Sequence, residues 1–480
     1  MANKVFGKEK IGILLLILLM TGAIDNIRNL PSTATSGTYI FFFFLLAVVL
    51  FLAPVGLVSA EMTSTYTNKG EEGVYGWVKK AFGPNIAMLA IWFQWINTLI
   101  WFPSILTFLA GTVAYLFNPD FAQNIKFTVI FITIVFWSLT IINLNGLKIS
   151  AIFASICTFF GMVIPMMLMV VFALIWLTSN YPTQLHFSLD NLTPSLNSTD
   201  SWMGLTAIIA SFLGLELATV HITKVANPKK TFPLALLIST VFIIFTMILG
   251  ALAVSIIFPQ SDIDVVHGTI KTFKVYLDSF SIPIFFYYLL GIMIIVGSVG
   301  SMINWMISPA RGLLQAADSH FLPKILDKTN KHDVPNGILI LQAIIMTVIC
   351  FLLELVPSVQ AYYWLLTALS TQIYSLMYLV MFLAAIKLKL QNKTSLKNEE
   401  DFRIPFGKLG MLVVCAAGIM GTTICILVGF VPPDNMYDNP IEFIISLSIS
   451  LIIALLPVLF FIAYRKRYLK KMELISVKID

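Results

Sequence analysis

The chain has few charges and few cysteines for its length. Of its 480 residues, 11% are charged and 58% are apolar, whereas soluble proteins carry about 25% charged residues. So little polar surface cannot coat a soluble globule, and this composition predicts an all-α integral membrane protein. The cysteines lie inside apolar segments without disulfide or metal-site spacing, so we interpret them as small buried hydrophobic residues. They are Cys157, Cys350, Cys415 and Cys425.

The sequence also lacks the residues that catalysis inside a membrane requires. No histidine falls in the middle of an apolar segment, which leaves a histidine proton relay unsupported. There is no HExxH motif and no paired His and Asp at mid-segment, as an intramembrane enzyme would need. We therefore expect no enzymatic activity, no metal and no cofactor.

Apolar segments of about 20 residues match a hydrocarbon core about 30 Å thick. We predict twelve such segments, two of which are interrupted. Most of the chain is therefore expected to have the lipid bilayer as its partner. A channel or a sensor would not explain the two interruptions as simply as a transporter does. The predicted segments are 11–36, 39–60, 84–117, 125–145, 148–178, 202–223, 232–258, 284–315, 336–356, 360–387, 408–431 and 441–464.

The distribution of lysine and arginine predicts the orientation. The longest outer loop, 181–201, contains neither residue, whereas basic residues concentrate in the loops on the opposite side. Because basic residues favour the cytoplasmic side, both termini are expected there. The formal net charge of +6 is thus a topology signal, and we expect no binding to nucleic acid. The oligomeric state cannot be inferred.

Two apolar segments are broken by polar residues. In the first, TGAIDNIRNLP interrupts the apolar run, and in the sixth, SFLGLELATVHITK does so. Non-helical backbone at membrane depth is tolerated only where it packs in protein or lines a cavity. Paired interruptions of this kind point to the binding site of a secondary transporter. They suggest an inverted repeat of 11–178 and 202–387 with extra helices at 408–464, a cytoplasmic N-terminus 1–10 and a basic tail 465–480.

The first break should free backbone groups of Ala23, Ile24 and Asn26 for a substrate, since half-helix ends attract charged groups. Asp25 and Arg28 add two ionisable groups at the same depth. One interpretation is a local Asp25–Arg28 pair that stabilises the break. The alternative is that Arg28 binds a substrate carboxylate or that Asp25 faces an ammonium group.

The second break contains Gly214 and Glu216. Glu216 could bond to the unwound backbone of the first segment, or it could contact a substrate ammonium group or a coupled proton. Tyr374 and Tyr378 are spaced i, i+4, which places both hydroxyls on one helix face. By spacing alone, core packing is the favoured interpretation of this pair, with substrate contact as the alternative.

Two connecting segments have helical patterns of their own. The loop 61–83 has room for a short amphipathic helix on the cytoplasmic side. The outer stretch 262–280 has apolar residues at helical spacing, and we expect it to lie at the membrane surface as a gate.

Several motifs carry a family resemblance. SFLGLELATVHITKVANPKKTFPLA and ISPARGLLQAADSHFLPKILDKTNKHDVP resemble the sixth-span and eighth-span signatures of the amino acid–polyamine–organocation superfamily. PSTATSG, PVGLVSAEM, EEGVYGWV, IPFG and FVPPDN are similar to its bacterial glutamate/γ-aminobutyrate antiporters. The resemblance implies a LeuT-like fold with ten core helices and two extra ones, in the bacterial inner membrane. It also implies exchange of amino acids by alternating access, with a proton-coupled symporter as the alternative.

The resemblance also assigns site residues. Glu216, Trp305, Tyr374 and Tyr378 match family site positions. Three positions depart from the pattern, because Arg28 and Trp95 stand in place of tyrosines and Ser301 in place of an acidic residue. The C-terminal plug of the acid-resistance antiporter is expected to be absent. A positive Arg28 without that acid favours a more anionic substrate, such as one with a second carboxylate.

Overall fold

The structure is a computed structural model, and the secondary-structure elements in its described part are all helical. It describes residues 12–66, 73–145, 156–185, 192–194, 202–217, 219, 225, 228–332, 334–351, 358–391, 402–432 and 439–476. The predicted N-terminal segment 1–10 and His221 lie outside the described residues. The all-helical prediction is confirmed for the part that the structure describes.

The helices alternate with short turns of 3-10 or π geometry. The α-helices are, in chain order, α1 (Ile13–Ile24), α2 (Leu30–Ala34), α3 (Ile40–Ala47), α4 (Ala53–Tyr66), α5 (Gly73–Phe82), α6 (Pro84–Phe117), α7 (Ile125–Leu144), α8 (Ile164–Thr178), α9 (Met203–Ser211), α10 (Pro228–Ser255), α11 (Gly268–Ser279), α12 (Phe285–Leu314), α13 (Asn336–Phe351), α14 (Val359–Gln391), α15 (Gly407–Val428) and α16 (Pro440–Ser476). The shorter turns are Ile27–Asn29, Gly37–Tyr39, Val48–Leu52, Pro119–Gln123, Phe159–Val163, Gln260–Asp262 and Ala317–Ser319.

Nine helical stretches within the described residues are long and apolar enough to cross a membrane. They coincide with nine of the predicted segments. The other three segments contain shorter helices, namely α1 with α2, α9 and α13. The chain is therefore a multi-pass membrane protein, while the count of twelve crossings stays a prediction. The four cysteines are buried and unpaired, as expected.

Helix α6 forms the centre of the bundle. It packs against α14, α12 and α5, and most of its side chains are buried. At 1.5 Å per residue it is about 50 Å long, which exceeds the hydrocarbon core and requires tilt or an extension beyond it. Bonds at Gln94–Tyr374 and Asn97–Ser370 show that α6 and α14 run antiparallel, since one number rises as the other falls.

Two glycines permit a close helix crossing. Gly161 in the turn Phe159–Val163 faces Gly297 of α12, and a Cβ atom on Gly161 would lie 2.2 Å from the Gly297 nitrogen. Backbones approach this closely in membrane bundles where small residues meet.

The helices predicted in the two connecting segments are both present. The segment 61–83 contains α5, which packs on α6 and α14. The segment 262–280 contains α11, whose apolar face, including Ile270, Phe273 and Tyr276, is buried in protein. The described part of the basic tail, through Ser476, continues the last helix α16.

Candidate functional site

The first break lies where the sequence predicts it. Helix α1 ends at Ile24, and Asp25 and Asn26 have extended backbone angles. The chain then forms the 3-10 turn Ile27–Asn29 before α2 begins at Leu30. The Asn26 side chain accepts a bond from the Arg28 amide at 3.1 Å, so an Asn cap stabilises the restart of the helix.

The second break also lies in the predicted segment. Helix α9 ends at Ser211, and Gly214 has φ +102°, a conformation that glycine adopts without steric cost. The Gly214 amide donates to the Tyr378 hydroxyl at 3.0 Å. A Cβ atom on Gly214 would lie 2.6 Å from the Trp305 ring. Glycine is therefore required here both by conformation and by the ring that packs against it.

A small polar cavity lies between the two breaks. It has room for about one water molecule, so an amino acid can enter only if the surrounding side chains move. Its polar lining consists of Arg28 and three asparagine residues, and two tryptophan rings form much of the remaining wall. The lining residues are Ile24, Asn26, Arg28, Asn29, Asn97, Trp101, Ala210, Leu213 and Trp305.

Arg28 is the charged group of this cavity. Its side chain is 5% exposed, and its guanidinium lies 5.0 Å from the centre of the Trp101 ring. One terminal nitrogen donates to Ser104 at 3.0 Å and, more weakly, to the Tyr363 hydroxyl at 3.5 Å. Its Nε atom is buried and has no hydrogen-bond partner within the described part of the chain.

Tryptophan rings connect Arg28 to the second break. Trp101 stacks on Trp305, with ring centroids 5.0 Å apart and planes inclined by 26°. Trp305 in turn packs on Gly214. The order from one break to the other is therefore Arg28, Trp101, Trp305 and Gly214.

Glu216 is the centre of a buried hydrogen-bonded cluster. Tyr374 donates to its Oε1 at 2.6 Å and Gln94 to the same atom at 2.9 Å, while Tyr378 donates to Oε2. Three converging donors suit a carboxylate, which only accepts hydrogen bonds when ionised. The bond to the unwound backbone of the first segment, one interpretation of the sequence, is not among these.

The Glu216 cluster and Arg28 lie at different depths. On α6, Gln94 reaches Glu216 and Ser104 reaches Arg28, and the helix between these two positions rises about 15 Å. Glu216 instead lines a second small cavity beside α5, together with Gln94, Tyr75, Ser308 and Gln315.

The Asp25–Arg28 pair considered in the sequence analysis is absent. Although both residues are described, no ion pair joins them. Asp25 accepts from Thr246 of α10 at 2.8 Å, and its other oxygen is buried with no partner among the residues that the structure describes. Arg28 points instead to α6. The extended backbone of Asn26 (φ −149°, ψ 122°) lies between them, so the helical spacing that would place them on one face does not apply.

The remaining predicted residues lie at the edge of the site. Ser301 donates to the Gly22 carbonyl at 3.2 Å, which ties α12 to α1. Trp95 is fully buried against Trp92 and lines neither cavity. The side chain of Ala23 is not described, and its backbone belongs to the last turn of α1.

Sequence reasoning missed several residues of the cavity and the cluster. Gln94, Asn97, Trp101 and Ser104 all lie on α6, at spacings of three or four residues. This polar stripe at helical periodicity within an apolar segment was a usable signal. Tyr363 had no such signal, because its partner Arg28 is 335 positions away.

Helix α11 packs against the first break. Thr269 donates to the Ile27 carbonyl at 3.1 Å. Just before α11, Asp264 accepts from the Lys271 side chain at 2.7 Å, and its carboxylate lies 2.8 Å from His267 Nδ1. Burial acts to raise the pKa of Asp264, but the bonds from His267 and Lys271 outweigh it and hold this pKa well below its usual range.

The chain is a multi-pass membrane protein, and two broken helices around a polar cavity are typical of a secondary transporter. The chain belongs to the amino acid permease family, whose model matches residues 11–464. The resemblance to the amino acid–polyamine–organocation superfamily is thereby confirmed.

Named relatives share most of the chain. It is 32% identical to an uncharacterized transporter of Legionella pneumophila, covering 89% of this chain and 91% of that protein. It is 27% identical to a glutamate/gamma-aminobutyrate antiporter of Lactococcus lactis, covering 96% and 92%. It is 26% identical to a probable agmatine/putrescine antiporter of the same species, covering 80% of each chain.

Proposed function

We propose that the protein is an amino-acid antiporter that exchanges glutamate or a related acidic amino acid across the bacterial inner membrane. The observation that carries this proposal is the cavity between the two helix breaks, with Arg28 and Trp305 in its wall. Helix ends that meet at a cavity supply partial charges for the carboxylate and ammonium of an amino acid. The antiporters among the relatives support exchange as the mode of transport.

The residues predicted from the sequence are proposed to have two roles, substrate contact at the first break and support of the second break. The first break and Arg28 would contact the substrate, and the two stacked tryptophans would move to admit it. The Glu216 cluster would hold the second break and couple it to α14. The predicted residues are Ala23, Ile24, Asp25, Asn26, Arg28, Trp95, Gly214, Glu216, Ser301, Trp305, Tyr374 and Tyr378.

We further infer a LeuT-like arrangement of twelve helices, with inverted repeats 11–178 and 202–387. Its support is that each repeat opens with a broken helix. Both termini would lie in the cytoplasm. A cysteine introduced at Lys470 should resist an impermeant maleimide in intact cells, and one at Asp278 should react. Labelling at Lys470 in intact cells, or an experimental structure without a two-fold axis between the repeats, would contradict this arrangement.

Counterflow in proteoliposomes tests the antiport. Vesicles loaded with unlabelled glutamate should take up labelled external glutamate, whereas vesicles without internal amino acid should not. A proton gradient alone should not replace the internal substrate. Uptake into unloaded vesicles driven by the gradient would instead establish a symporter.

One observation favours the symporter as a second candidate. One Asp25 oxygen is buried at the first break and has no partner among the described residues, and such a carboxylate is a candidate proton site. If protons are coupled there, Asp25→Asn should abolish gradient-driven uptake but preserve exchange. Asp262→Asn, at an exposed outer carboxylate, serves as the matched control and should change neither.

A further inference from the structure

Arg28 carries a buried positive charge without a counterion among the described residues. The carboxylates of the two helix breaks are engaged elsewhere, because Asp25 bonds to Thr246 and Glu216 to Tyr374. The known partners of the guanidinium are neutral, namely a serine hydroxyl, a tyrosine hydroxyl and an indole ring. A buried charge in such surroundings is costly unless an anion joins it.

The cavity is the place from which that anion can come. Arg28 lines it, and no described residue bonds to the buried Nε atom. A guanidinium binds a carboxylate through two parallel N–H bonds, so a terminal and an Nε hydrogen together suit one carboxylate. Asn26, Asn29 and Asn97 supply neutral polar groups beside it.

Charge balance then restricts the substrate. A zwitterion with one carboxylate and one ammonium has no net charge, so it leaves the charge of Arg28 uncompensated. A dicarboxylic amino acid has one negative charge in excess, which Arg28 can neutralise. In an exchanger, both substrates occupy the same cavity in turn, and therefore the same restriction applies in both directions.

From these observations we infer that Arg28 binds the second carboxylate of an anionic amino acid, and that both exchanged substrates must be net anionic. This inference rests on the proposed antiport and deepens it. It predicts that a monocarboxylic amine, such as γ-aminobutyrate, is a poor exchange partner for this chain. Here the chain would differ from the relatives whose names pair glutamate with γ-aminobutyrate.

The test compares internal substrates in the same counterflow assay. Vesicles are loaded with glutamate, aspartate, glutamine or γ-aminobutyrate, and uptake of labelled external glutamate is measured. Glutamine has nearly the shape of glutamate without the charge. Because a charge-assisted bond is lost with glutamine and γ-aminobutyrate, glutamate and aspartate should drive uptake at least about 10-fold faster than these two zwitterions without net charge.

Three variants separate Arg28 from general effects of charge. Arg28→Gln should reduce the ratio of uptake with internal glutamate to uptake with internal glutamine to within about 3-fold, because the proposed bond from Arg28 to the second carboxylate is removed. Arg28→Lys keeps the charge and should keep the preference in weaker form. Arg467→Gln removes the same charge at an exposed position of α16 and should behave as the unmodified protein.

The outcomes distinguish this inference from the antiport itself. Equal uptake with all four internal amino acids would overturn the role of Arg28 and leave antiport standing. Unchanged discrimination in Arg28→Gln would overturn it as well. Failure of every amino acid to drive counterflow would overturn the proposed function, and the inference with it. The comparison of internal substrates in the unmodified protein decides the matter even if Arg28→Gln does not fold.

Discussion

Trp101 of α6 stacks on Trp305 of α12, with 5.0 Å between the ring centroids. Trp101 contacts the Arg28 guanidinium, and Trp305 packs against Gly214. The pair thus connects the first helix break to the second across the cavity. Since packed aromatic rings have discrete arrangements, movement of this stack is a physical means by which a substrate could alter both breaks together.

Gly214→Ala should reduce transport at least about tenfold. A methyl group there would meet the Trp305 ring at 2.6 Å, and φ is +102°, which alone costs about 1–2 kcal/mol for a residue with a Cβ atom. Gly83→Ala is the matched control, because φ is +84° and nothing lies within 4 Å of the added Cβ. Counterflow in Gly83→Ala should stay within about twofold of the unmodified protein. Equal losses in both variants would show that backbone strain alone, and not the ring contact, is responsible.

Tyr378→Phe should be more damaging than Tyr374→Phe. The Tyr378 hydroxyl donates to Glu216 and accepts from the Gly214 amide, so its removal leaves a buried N–H unpaired. The Tyr374 hydroxyl donates to Glu216, but the bond it accepts from Gln94 is long, at 3.4 Å. We expect the free energy of unfolding to fall by about 2–4 kcal/mol in Tyr378→Phe and by about 1–2 kcal/mol in Tyr374→Phe. Apparent melting temperatures of the purified variants would give the order of the two losses. The reverse order would refute the stabilising role of the bond from the Gly214 amide to the Tyr378 hydroxyl.

Asp264 should make stability depend on pH in the acid range. Its pKa is lower in the folded protein than in the unfolded chain. Its contribution to the free energy of unfolding is therefore fully present above the unfolded pKa of about 3.9 and is lost as pH falls towards the folded pKa. The unmodified protein should therefore lose stability below about pH 4. The Asp264→Asn variant should be less stable than the unmodified protein at pH 7, and its stability should fall less on acidification. Thermal unfolding at pH 7 and at pH 3 would measure this, and parallel curves for the two proteins would contradict it.

The positions of the breaks could be predicted because their causes are local. Polar residues and Pro31 interrupt the first apolar segment, and Gly214 supplies the positive φ of the second. The helical segments could be predicted for the same reason, since their length follows from the thickness of the bilayer. Each of these features is specified within about 20 consecutive residues.

The partners of the charged residues could not be predicted in this way. Asp25 and Arg28 are three positions apart, which suggested a local pair. The extended backbone at Asn26 separates them, and each finds a partner on a different helix. Glu216 likewise bonds to tyrosines more than 150 positions away. A buried charged side chain bonds to the groups that the fold brings within reach, so its partners depend on how the helices pack.

The sequence by itself therefore determined the membrane setting, the two broken helices and the family, because hydrophobic length and backbone breakers act locally. Only the tertiary structure decided that Arg28 faces the cavity without a counterion among the described residues, while Glu216 is enclosed by donors at another depth. The physical reason is that the electrostatics of a buried charge depend on what surrounds it in space, and those neighbours come from helices far apart in the chain.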